Sequence, residues 1–67
     1  MSKASMAERV EQLLQMAEDA MAEGELEDAI SLCDQALETA KDDADALEIK
    51  ALALGELGDF EAADELP

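Results

Sequence analysis

Four carboxylates crowd one short stretch, Asp42, Asp43, Asp45 and Glu48. Oxygens so gathered are the material of a calcium site. A helix–loop–helix calcium loop wants oxygen ligands at alternate positions, a central glycine and a distant glutamate. The glycine is missing here and helical sequence comes at once. The acids therefore read as caps of a helix start, with loose attraction for divalent cations beside it. Cys33 is the one thiol, and there is no histidine. It can neither pair within the chain nor build a zinc site. It lies on an apolar stripe, where a cysteine packs as a small hydrophobe; a reactive thiol or an intermolecular disulfide is the alternative. Met6, Met16 and Met21 are flexible thioethers suited to core filling or to an adaptable binding surface. Catalysis has little to build on. His, Tyr and Trp are absent, and among so many carboxylates no single perturbed acid stands out. Gly24, Gly55 and Gly58 are isolated and make no phosphate loop. The chain reads as non-enzymatic, with no cofactor.

The elements that must position these residues are helices. Ala, Leu, Met and Glu dominate, and they form helices well and strands poorly. Residues 1–5 read as a frayed start. Ser5 and Glu8 fit a capping box, in which each side chain satisfies the other residue's backbone N–H. The first helix is then expected over 6–23, with Val10, Leu13, Leu14, Ala17, Ala20 and Met21 at helical spacing. Gly24 stops it. A second helix is expected over 25–40. Leu26, Ala29, Ile30, Cys33, Ala36, Leu37 and Ala40 form its inner stripe, and Glu27, Asp28, Ser31, Asp34, Gln35 and Glu38 its outer face. Lys41 closes it with a favourable charge.

Asp42 or Asp43 caps a third helix, expected over 44–57. It is apolar on two sides, Leu47, Ala51 and Leu54 on one and Ala46, Ile49, Ala53 and Leu57 on the other, with Leu52 between. Such a helix is expected to be wedged between neighbours. Gly58 then repeats the turn of Gly24, and Asp59 caps a short fourth helix, 60–66. Gly24 to Gly58, Leu26 to Phe60 and Ala29 to Ala63 are each 34 residues apart. A helical hairpin repeated at that interval marks an α-solenoid. The expected fold is all-α: one small domain over 1–67, a hairpin at 6–40, and a second at 44–66 that looks cut short.

The charge is extreme, 19 acidic residues against 4 basic, a net of −15. Nucleic acid and anionic membrane surfaces should be repelled. No apolar run approaches the roughly 20 residues of a membrane span, and nothing at the N-terminus reads as a secretory signal. The expectation is a soluble, cytoplasmic protein.

The residues resemble the tetratricopeptide repeat family. Its hairpin has small residues where the helices cross, a Gly-Asp/Asn-aromatic turn, then Ala-Ile and a closing Ala-Leu. This chain shows Gly24-Glu25-Leu26, Ala29-Ile30 and Ala36-Leu37, then Gly58-Asp59-Phe60 and Ala63. Ala17 and Ala51 stand at the small first-helix position, and Leu13 and Leu47 where Trp or Leu is common. The first-helix tyrosine is replaced by Ala20 and Leu54, and the proline between repeats by Lys41. The resemblance implies a groove that binds proteins or peptides, lined here by Glu11, Leu14, Gln15, Glu18 and Met21 with Asp45, Glu48, Ile49, Leu52 and Glu56. No Lys, Asn or Arg stands among these positions, which argues against the family's clamp for chaperone carboxylates. A basic or apolar-basic peptide suits so acidic a lining; otherwise the acids only solvate the face.

Self-association is the other expectation. The edge around Leu52, Leu57, Phe60 and Leu66 lacks a cover within the chain, and a second copy, as homodimer or higher oligomer, would supply it. A structural repeat fragment or engineered repeat with no ligand, and an acidic mimic of nucleic acid, are the alternatives. An acyl carrier protein needs Asp-Ser-Leu at a helix start, whereas Ile30-Ser31-Leu32 lies mid-helix without the Asp. The interaction reading requires both glycines to turn the chain. A straight rod through either one, or water over both Leu47 and Ile49, removes the nesting of the two hairpins.

Overall fold

The computed structural model describes residues 5–65, with side chains through residue 59. Three helices run in order: α1 Met6–Ala22, α2 Leu26–Thr39 and α3 Ala44–Glu65. The described residues hold no strand, so the fold is all-α as expected.

Helix α1 starts where its capping chemistry dictates. The Glu8 N–H donates to Ser5 Oγ at 3.1 Å, and the Ser5 N–H donates to Glu8 Oε1 at 3.3 Å. It ends at a glycine cap. Gly24 takes φ +79°, the left-handed region that only glycine enters freely. Its N–H donates to the Met21 carbonyl at 3.1 Å, and the Glu25 N–H to the Ala20 carbonyl at 2.8 Å. These two bonds satisfy carbonyls that a helix end leaves unpaired. Helix α3 starts on Asp43, whose Oδ1 accepts from the Ala46 N–H at 3.0 Å. Lys41 lies past the last turn of α2 rather than within it.

Helix α2 packs along both of its neighbours, while α1 and α3 touch over a shorter span. One core layer joins Val10, Leu14 and Ala17 of α1 to Cys33 and Ala36 of α2 and to Ala46 and Ile49 of α3. A smaller layer joins Ala20, Ala29 and Ala53. Residues late in one helix meet residues early in the next, so successive helices run antiparallel. Ala17, Ala29, Ala36, Ala46, Ala53 and Cys33 are fully buried. These small side chains let the backbones approach closely where they meet.

The second hairpin departs from expectation. Helix α3 does not end at Leu57, and no separate fourth helix starts at Phe60. One helix runs through Gly55 and Gly58 to Glu65, and Gly24 is the only glycine with positive φ. A glycine inside a helix costs only about 1 kcal/mol, so continuing straight is cheap. Turning requires a new arm that packs well enough to offset the ordering of its residues. Helix α2 offers 14 residues with a full apolar stripe; residues 59–65 offer Phe60, Ala62 and Ala63. A helix that short is marginal. The two-sided burial expected of α3 is corrected with it. Ala46, Ile49 and Ala53 are buried and Leu57 half-buried, but Leu47 is 50% exposed, Leu54 49%, and Ala51 exposed. Two nested hairpins are therefore absent from the described residues, although Ile49 keeps its place in the core.

Candidate protein-interaction surface

The ten residues expected to line a groove divide into floor and rim. Leu14 and Ile49 are buried and share one core layer, so they belong to the floor, and Leu14 also lines a cleft. Met21 is half-buried against that layer. Glu11, Gln15 and Glu18 of α1 are exposed, as are Asp45, Glu48, Leu52 and Glu56 of α3. Three of the ten meet in one open cleft of about 450 Å³, where Glu11 and Asp45 stand over Leu14. Met6, Ala7, Val10 and Ala40 add apolar wall, and Asp43 adds a third carboxylate. Met6 is 74% exposed at this cleft, a flexible thioether presented to solvent. Apolar wall with a rim of acids suits a ligand that is apolar and basic at once.

The expected self-association edge is only partly described. Leu52 is 55% exposed and Leu57 half-buried. The Phe60 side chain and all of Leu66 lie outside the described residues. The most exposed leucines beside Leu52 are Leu47 and Leu54, which helical spacing alone assigns to a packed face. By the 34-residue period they match Leu13 and Ala20 of α1, which pack in layers shared with α2 and α3.

Lys50 Nζ lies 2.6 Å from Asp34 Oδ1 and ties α3 to α2. The pair is partly exposed, a setting in which ion pairs contribute about 0–1 kcal/mol. Burial pushes the Cys33 thiol above its ordinary pKa, the Asp34 carboxylate adds to the rise, and Lys50 draws it partly back. A thiol held neutral in a dry layer is a weak nucleophile. Asp43, one of the carboxylates that suggested calcium, is used in capping α3. Among the described residues no three acidic, cysteine or histidine side chains converge as metal ligands would. No described helix is long and apolar enough to cross a membrane. Comparison with protein-family models, with characterised proteins and with solved structures gives no match.

Proposed function

We propose that the chain is a non-enzymatic protein-interaction module, built on one hairpin of the tetratricopeptide kind plus the first helix of a second, and that it binds a basic-apolar peptide between α1 and α3. The observation that carries this reading is the cleft in which Glu11, Asp43 and Asp45 rim an apolar wall of Met6, Val10 and Leu14. It rests on α1 and α3 lying side by side through Leu14 and Ile49, not on a nest of two hairpins. Carboxylates beside an apolar surface attract a Lys or Arg head while the neighbouring wall takes its stem or an adjacent leucine. The net charge of −15 speeds encounter with cationic partners in general, and the cleft adds the apolar contact that a diffuse charge lacks.

Fluorescence anisotropy with a labelled peptide of alternating Lys and Leu tests it. Binding is expected to weaken as salt rises, to weaken again in a Glu11→Gln, Asp45→Asn double variant, and to vanish for a Glu-Leu peptide. Equal affinity for the basic and acidic peptides would sink the proposal. So would indifference to the double variant while Glu27→Gln, Glu38→Gln on α2 removes binding.

A further inference from the structure

Most of the apolar wall in the cleft beside Glu11 and Asp45 is out of a ligand's reach. Val10 and Leu14 are 5% and 7% exposed, and Ala40 is half-buried. Met6 is 74% exposed. Among the described residues it is the one large apolar side chain that both lines this cleft and stands in water. Met16, Leu47, Leu52 and Leu54 are exposed too, but none of them lines it. A leucine of a bound peptide would therefore rest first on the Met6 thioether. Met6 also leads the described sulfurs in exposure. Met16 is 48% exposed, Met21 half-buried and Cys33 fully buried. A thiol reacts through its thiolate, which burial of Cys33 opposes. A thioether needs no deprotonation, so its sulfur lone pair is available at neutral pH.

We propose that Met6 is a reversible oxidation site, and that its conversion to the sulfoxide by hydrogen peroxide, or another neutral peroxide, loosens the basic-apolar peptide from the cleft. The proposal rests on peptide binding in that cleft. The sulfur attacks one peroxide oxygen, and an S–O bond forms as the O–O bond breaks. The departing hydroxide takes the proton of the transferred hydroxyl and leaves as water. Sulfur loses two electrons and the peroxide gains them. A dithiol-dependent reductase reverses the step; the oxygen leaves as water while the two thiols close to a disulfide. The charge of the chain sorts oxidants. At −15 it repels anionic ones and leaves an uncharged peroxide unhindered. The sulfoxide is polar but neutral. It removes the apolar surface that a ligand reaches and leaves the charges of Glu11, Asp43 and Asp45 as they were. Charge attraction then survives and apolar contact does not. Met6 is the first residue of α1 and mostly in water, so its oxidation leaves the buried layers intact.

Peptide-level mass spectrometry during a timed peroxide treatment of the whole chain reads the order of reaction and needs no ligand. Met6 is expected to convert several times faster than Met21, while Cys33 stays unmodified. Anisotropy with the Lys-Leu peptide reads the consequence. Chain quenched once Met6 is converted should bind about tenfold more weakly. Its salt dependence and urea melt should be unchanged, and methionine sulfoxide reductases with dithiothreitol should restore its affinity. Met6→Leu keeps an apolar side chain without the sulfur, and peroxide should not move that variant's affinity from its own starting value. Binding that survives full conversion of Met6 overturns the proposal, as does an equal peroxide loss in Met6→Leu, or oxidation of Met21 ahead of Met6. Absence of peptide binding before any peroxide sinks the reading of the cleft, and the switch with it.

Discussion

Gly24 and Gly58 hold the same place in a 34-residue period, yet the chain reverses at one and runs straight through the other. Around Gly24 the preceding helix presents Leu13, Ala17 and Ala20, which pack in layers shared with α2 and α3; the two alanines are buried and the leucine half-buried. Around Gly58 the preceding helix presents Leu47, Ala51 and Leu54, and all three are exposed. A glycine permits a turn without enforcing one. The arm beyond the glycine decides, because only one with a long apolar stripe gains enough contact to hold the reversal.

Paired substitutions sharpen this contrast, and the largest effect belongs to the alanines. Ala17→Leu should destabilise by about 1–3 kcal/mol, since Ala17 is fully buried between helices and has no room for three more carbons. Ala51→Leu, at the matching position, should shift stability by less than about 0.5 kcal/mol. Urea melts at concentrations too low for association measure both. Equal penalties would mean that something in solution covers the second copy of the site.

The glycines themselves should give opposite signs. Gly24→Ala forces a side chain into φ +79° and should cost about 1–2 kcal/mol. Gly58→Ala removes a weak helix former from an open position and should stabilise by up to about 1 kcal/mol. A loss at Gly58 as large as at Gly24 would show that Gly58 also turns. The helix starts should behave alike in the two copies. Ser5→Ala and Asp43→Ala each remove one side-chain cap and should each cost about 1 kcal/mol. Smallest of all, Lys50→Met breaks the Asp34 pair and should change stability by less than about 1 kcal/mol. The same melts, repeated in high salt, check that the difference shrinks further.

Local rules made much of this fold legible. Ser5 with Glu8, Gly24 after Glu23, and Asp43 ahead of Ala44 each act within a few residues, and the structure has all three. The inner stripe of α2 and its outer face also separate as the spacing implies. The path at Gly58 was not legible from those rules, because the choice there balances a small propensity cost against packing that an arm must supply from a distance. The groove residues illustrate a second limit. Leu14 and Ile49 stand at positions where the resemblance implies a lining, and the rim acids beside them are exposed as expected. With α1 and α3 in contact, however, two large aliphatic side chains at that height close the gap between the helices and become its floor.

The wholly buried alanines of the crossings have a thermal consequence. Alanine gives up no rotamer freedom on burial, but it also hides little hydrocarbon from water. The heat-capacity increment of unfolding scales with hidden hydrocarbon, so it should be small for this chain. The stability curve should then be shallow, with a broad calorimetric endotherm and little tendency to denature in the cold.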